Sequence, residues 1–212
     1  MHQYVTSLQN IVSRKRSGKI LTFNMPHVFM ALQLLARDNH VSRATLCQEL
    51  HLGEGSVRTL ILHLKDTGLV STSKAGTILT RKGSHFAKKF LDIISAECSV
   101  KKCKIVQARY NHAIILKKYA KAISTGVQQR DFAIVYGATA ATTLIYKQNE
   151  FVFPGNNIDY LNNDHKTRKN LLDNLKPDNG DAIIVTSADD PFVAEISAKN
   201  SALLTVASHE KH

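Results

Sequence analysis

The chain has 212 residues, 43% of them hydrophobic, and a formal net charge of +11, which fits one ordinary domain or two small ones and excludes wholesale disorder. It has no apolar run of the roughly 18 residues that a membrane span needs, no signal-like apolar core at its start, and three cysteines (Cys47, Cys98, Cys103) that form no disulfide framework, so a cytoplasmic protein is expected. The charge is uneven: 15 Lys and Arg against 6 Asp and Glu through Cys103, then 13 against 11, so the first half is the one suited to a polyanion.

Residues Met1 to Phe23 contain a basic cluster, Arg14-Lys15-Arg16 with Lys19, that reads either as an arm for a DNA groove or as a loose terminus. Val5, Leu8, Ile11 and Val12 favour a short packing helix there. Met25-Pro26 opens the next helix after Asn24, with Val28, Phe29, Leu32, Leu35 and Ala36 on its apolar face. Ser42 caps a second helix through Arg43, Leu46 and Leu50. Leu52-Gly53 makes a turn, and Glu54 is a candidate cap for a third helix that ends at Gly68. On that helix Val57, Leu60, Ile61 and Leu64 face inward, which predicts that Ser56, Arg58, Thr59 and His63 face outward.

Leu69 to Thr72 and Thr77 to Thr80 read as strands around the turn Ser73-Lys74-Ala75-Gly76. The order helix, helix, turn, helix, hairpin is that of a winged helix-turn-helix. Its third helix would enter a major groove, where an arginine can fork onto guanine. Lys74 at the wing tip, with Arg81 and Lys82 just after it, is placed for phosphates. The candidate DNA-binding set is therefore Ser42, Arg43, Ser56, Arg58, Thr59, His63, Lys74, Arg81 and Lys82. From Gly83 to Ile94 a further amphipathic helix presents Phe86, Phe90, Leu91 and Ile94.

The run Leu46…Leu50-His51-Leu52-Gly53-Glu54-Gly55-Ser56-Val57-Arg58-Thr59, with Leu64…Gly68-Leu69-Val70 and Leu79-Thr80…Gly83, resembles archaeal winged-helix transcription regulators. The resemblance is specific for fold and not for target, and fold alone does not settle function.

After Ser95 the pattern changes to alternating strands and helices. Expected strands are Lys104 to Tyr110, Phe132 to Tyr136, Thr142 to Lys147, Glu150 to Phe153, Asp181 to Thr186 and Ala202 to Ala207. Expected helices are His112 to Ser124, Asn163 to Leu175 and Pro191 to Lys199. Strand, helix, strand from Asp181 to Ala207 predicts a βαβ unit with a parallel pair. The fold class is thus mixed α+β or α/β: a winged helix over residues 1–95 and a small α/β domain over 96–212, serving effector binding or dimerisation.

If Phe132 to Tyr136 is a buried parallel strand, the small residues after it lie in a ligand crevice. Arg130, Asp131, Gly137, Thr139, Thr142 and Thr143 are its candidates, joined by Asp189 in the turn before Pro191. A surface ion pair and tight packing account for the same residues equally well. The run Gln128 to Gly155, with Gln129-Arg130-Asp131, Gly137-Ala138 and Thr142-Thr143-Leu144-Ile145-Tyr146-Lys147, is similar to the C-terminal domain of an archaeal family in which a winged helix precedes a small α/β domain. That resemblance implies architecture and no ligand.

No phosphate-loop motif, nucleophile motif or paired zinc knuckle is present. Cys98 and Cys103 lack a second ligand pair, so no cofactor and no metal are expected. The reading is a DNA-binding transcriptional regulator without enzymatic activity, a homodimer on double-stranded DNA, with a small-molecule effector and no membrane partner. The alternative is a small-molecule-metabolising enzyme carrying a regulatory winged helix.

Overall fold

Residues 2–13 and 21–209 are described by the computed structural model; the basic cluster Arg14-Lys15-Arg16 and Lys19 lies outside them. The chain divides into two compact units, Met1–Leu91 and Asp92–His212. Among the described residues, no helix is long and apolar enough to cross a membrane.

The first unit runs α1 (His2–Ser13), α2 (Met25–Arg37), α3 (Arg43–Leu50), α4 (Glu54–Asp66), β1 (Val70–Ser73), β2 (Gly76–Leu79) and α5 (Arg81–Leu91). The expected packing helix at the start is α1, with Val5, Leu8 and Ile11 fully buried. Each element begins on a local signal. Pro26 sits in the first turn of α2, where its missing N–H is not needed. Ser42 Oγ accepts from Thr45 N at 3.0 Å and caps α3. The cap of α4 is Gly53, and Glu54 is its first helical residue, where a carboxylate faces the helix's unpaired N–H groups. Thr80 Oγ1 accepts from Gly83 N at 3.0 Å and donates to Gly68 O at 2.6 Å, so one hydroxyl caps α5 and ties it to the turn after α4.

Gly83 is required by space: a Cβ there would lie 1.9 Å from Leu69 O. The hairpin gains a one-residue third strand because Val41 and Thr77 of β2 exchange backbone hydrogen bonds of 2.9 and 2.8 Å. Tyr4, Phe29, Phe86 and Phe90 from α1, α2 and α5 cluster with ring centroids 5.4–6.3 Å apart, the spacing that aromatic quadrupoles favour.

The second unit runs β3 (Glu97–Val100), β4 (Tyr110–Leu116), a 3₁₀ turn (Ala120–Ala122), α6 (Val127–Ile134), β5 (Ala140–Lys147), β6 (Glu150–Val152), α7 (His165–Leu175), β7 (Asp181–Ala188) and α8 (Pro191–His209). The sheet order is β3-β4-β7-β5-β6, and every neighbouring pair is antiparallel. Ala113, Ile115, Leu144, Ile183 and Val185 share a core with Leu171 and Leu175 of α7. The alternate residues, including Ile114, Leu116 and Ile184, are buried as well. On their side α8 packs against β4 and β7, and α6 packs against β5 and α8.

Four expectations are corrected here. His112 to Ser124 is not a helix but β4 with the 3₁₀ turn, and Lys104 to Tyr110 is mostly turn preceding that strand. Phe132 to Tyr136 is not a strand but the end of α6 and its last turn. Ala202 to Ala207 continues α8. The parallel βαβ unit is therefore absent from the described residues, and the domain is an antiparallel α+β sandwich.

The physical reasons are specific. β7 is buried along its whole length because helices cover both faces of the sheet, and the same burial produces the apolar runs of parallel strands. α8 is buried nearly all round, so no polar stripe marks its period. α6 is a helix despite its β-branched and aromatic residues because α8 completes it: Ser201, Asn200 and Ser197 donate to the carbonyls of Gln129, Phe132 and Tyr136 at 2.7, 2.8 and 3.2 Å.

A buried ionic cluster fixes β3 to α8. Lys199, 1% exposed, pairs with Glu97 and, at 3.0 Å, with Glu195. His112 Nε2 lies 3.1 Å from Glu97 Oε2. Burial alone would raise the Glu97 carboxyl, but the His112 hydrogen bond and the Lys199 charge outweigh it and hold the group down at about 2.

Candidate nucleic-acid interface

Helix α4 presents one exposed face beside the wing. Arg58 is exposed on that face, and Leu62 and Lys65 follow at the next two turns. Lys65 Nζ donates to Thr72 Oγ1 of β1 at 3.2 Å. A cleft of about 610 Å³ lies between α4, the start of α3 and the wing, and Ser42, Arg43, Arg58, Lys65 and Lys74 all line it. Three elements far apart in sequence thus bring four cations to one concavity. Arg43, Arg58 and Lys74 have no ion-pair partner among the described residues, so their charge is available to a polyanion.

The other candidates divide. Ser42 lines the cleft, but its Oγ is engaged as the α3 cap. Ser56 Oγ lies 2.5 Å from Thr22 Oγ1, and Thr59 Oγ1 donates back to Gly55 O at 3.0 Å, so both hydroxyls already have local partners. Arg81 is exposed at the start of α5, outside the cleft lining. Lys82 Nζ donates to Thr67 O at 2.8 Å, where a cation complements the C-terminal carbonyls of α4.

His63 is corrected: it is fully buried and faces inward, with Nδ1 2.7 Å from Ile11 O and its ring edge-on to Phe23. The inward stripe of α4 is wider than the four apolar positions imply because α1 packs against it. Lys65 was missed in the sequence reading, although it lies seven residues after Arg58 and so on the same helical face.

Of the seven candidate ligand residues, three share a cleft. Arg130, Thr142 and Thr143 line a shallow space of about 260 Å³ with Gly126 and Pro154, below the roughly 300–1,000 Å³ of most small-molecule sites. Thr142 Oγ1 donates to Ile105 O at 3.1 Å. Thr143 Oγ1 is buried with no partner among the described residues. Arg130 and Asp131 form an exposed pair at 3.0 Å. Gly137 closes the turn after α6 at φ +90°, Thr139 bonds Ser187 O through both N and Oγ1, and Asp189 is exposed in the turn before α8; none of these lines the cleft. The crevice expected at the end of a parallel strand does not form, because Phe132 to Tyr136 is helical.

No group of three His, Cys, Asp or Glu among the described residues could hold a metal ion. Burial, with the nearby Glu97 charge, pushes the Cys98 thiol up to about 11, which disfavours the thiolate that a metal would need.

Residues 107–206 match a family model described as a domain of unknown function, DUF4443. The chain is similar to a solved structure described as hypothetical protein PH0730 from Pyrococcus horikoshii OT3, an archaeon. Identity is 28% and the TM-score 0.70, over 88% of this chain and 94% of that one. The MarR-family protein Rv2887 of Mycobacterium tuberculosis gives 25% identity over 42% of this chain and 65% of that one, at a TM-score of 0.29. Its complex with salicylic acid gives 26% identity over 42% and 68%, at 0.27. Overlays that loose leave the fold and function of this chain where its own residues put them. No curated protein matches the chain.

Proposed function

We propose that this protein is a DNA-binding transcriptional regulator that carries out no turnover of its own. The observation that carries the reading is the cleft around Arg43, Arg58 and Lys74, drawn from α3, α4 and the wing. Helix α4 is the element offered to the major groove, whose width of roughly 12 Å admits one helix. Arg58 is the base-reading residue, and Arg43, Lys65 and Lys74 neutralise phosphates on either side.

The protein acts as a homodimer. This part of the reading draws on α6 and its C-cap, where Val127, Ile134 and the capping Val135 are 47%, 47% and 78% exposed. Val127 and Ile134 are two turns apart on one helical face, an apolar surface that association would cover. The Asp92–His212 unit supplies that contact and takes a small effector. An effector regulates by preferring one dimer arrangement, since equal affinity for both would shift nothing.

Selection of bound fragments from random duplex DNA, followed across a salt series, tests the reading. Enrichment of one short palindrome supports a sequence-specific dimeric regulator. Steep salt dependence without enrichment replaces it with a general DNA-coating protein, and absence of binding at low salt overturns it.

A further inference from the structure

A larger cavity, of about 470 Å³, opens in the Asp92–His212 unit at the end of the sheet where β3 finishes and β4 begins. Its volume lies within the roughly 300–1,000 Å³ of small-molecule sites. The first turns of α7 and α8 form two of its walls, with Lys166 and Thr167 on one and Pro191 and Ala194 on the other.

The charge that lines it is one-sided, although Asp164, Asp189 and Asp190 lie just outside the lining. Lys101, Arg109 and Lys166 line the cavity, and no Asp or Glu does. All three are exposed, and none has an ion-pair partner among the described residues. Arg109 carries its guanidinium carbon 5.2 Å from the Tyr110 ring centroid, which orients its N–H donors without using them. Three like charges around one concavity raise its potential, and a bound anion relieves it. Val100, Pro191 and Ala194 give the interior an apolar lining.

The walls are built in advance. Asn111, 4% exposed, donates to Val100 O at 3.2 Å and Ala108 O at 3.1 Å, and accepts from Ser187 Oγ at 2.6 Å. Asn170 Nδ2 donates to Ser99 O at 3.0 Å and fixes α7 on β3. His112 is held by Glu97. The wall residues need little further ordering on binding, and the main ordering cost falls on the exposed Lys166 side chain.

We propose that this cavity binds a small organic anion, a carboxylate on an apolar body, with Arg109 and Lys166 holding the carboxylate. Its role as the effector site rests on the regulator reading above; ligand capture does not.

The test uses the full chain without DNA, so failure of the DNA reading leaves it intact. Naphthoate is titrated and amide NMR signals followed, with naphthamide as the neutral isostere. The expected result is saturable shifts at Val100, Asn111, His112 and Thr167, with naphthamide at least about tenfold weaker and an Arg109→Gln/Lys166→Gln variant weaker by a similar factor. Saturable shifts mapping elsewhere, equal binding of both probes, or no saturable shift overturns the proposal. Shifts by inorganic phosphate alone, without naphthoate, also overturn it, because the apolar body would then contribute nothing. The probe comparison on the unaltered chain decides the matter even if the double variant fails to fold.

Discussion

His63 Nδ1 lies 2.7 Å from the carbonyl oxygen of Ile11, across 52 residues of sequence. A carbonyl only accepts, so Nδ1 carries the hydrogen, and the bond fastens the last turn of α1 to the inner face of α4. Replacing His63 with Ala removes a buried ring and leaves the Ile11 carbonyl without its partner, which is expected to destabilise the first unit by about 2–4 kcal/mol. Denaturant unfolding measures that loss. Base preference in a DNA selection is expected to be unchanged, and a changed preference in a folded variant would return His63 to the reading set.

Arg58 and Lys74 line the same cleft but are expected to fail differently. Arg58→Ala should cost about 1–3 kcal/mol of binding to the preferred site and relax one base position. Lys74→Ala should weaken all duplexes alike and reduce the slope of log affinity against log salt by about one. Fluorescence anisotropy over a salt series, on preferred and scrambled duplexes, separates the two.

Gly83 is the pivot between the wing and α5. A methyl there would meet Leu69 O at 1.9 Å, and Leu69 N and O are both used, by Leu64 O and Thr80 N, so the carbonyl cannot move without loosening the wing. Gly83→Ala is expected to lower stability by more than about 2 kcal/mol. A thermal melt indistinguishable from the parent would show that the helix start gives way instead.

The two units are expected to respond to acid in different windows. Burial depresses His27 from 6.5 to about 4. The unfolded chain therefore binds the extra proton between those values, and the stability His27 contributes is full above 6.5 and lost as pH falls toward 4. The loss amounts to about 3 kcal/mol, within a factor of two. Glu97 is depressed from 4.5 to about 2, so its contribution is full above 4.5 and lost only toward 2. Thermal melts across this range should show the first unit weakening before the second. His27→Gln should flatten the first step, and retention of that step would assign it to another group.

The exposed apolar residues of α6 predict association. Ile134→Lys with Val135→Glu should halve the mass measured by light scattering while keeping the parent's far-UV circular dichroism, because both side chains are exposed in the single chain; the melt should fall only by the contribution of association. A parent chain that is already monomeric at micromolar concentration would remove α6 from the dimer reading.

The first unit was legible because its signals are local. Ser42, Gly53, Gly68 and the Thr80-Gly83 pair mark starts and stops within a few residues; α4 keeps one face toward water, so its period shows, and α2, buried almost throughout, is marked by Asn24 and Pro26 at its start. His63 escaped because its partner is a backbone carbonyl on a helix earlier in the chain, and no periodicity reports a carbonyl. In the second unit the readable elements were β5 and β6 about Gln148-Asn149, both at positive φ, α7 with its leucine anchors, the continuous apolar run that forms β7, and the start of α8 at Pro191; the partners of β7 and the full length of α8 were not readable.

What the sequence by itself determined is therefore the charge asymmetry, the first unit and the segments of the second that carry caps, turns or a wet face. Only the tertiary structure decided the rest. β7 pairs with β4 and β5, ladders closed across 35 to 78 residues of sequence, and α8 is covered on nearly every side. Burial on all sides erases the polar half of a pattern, and pairing at a distance leaves no mark on neighbouring residues. For the same reason the cations Lys101, Arg109 and Lys166, scattered in sequence, became one site only when β3, β4 and α7 met at the end of a sheet.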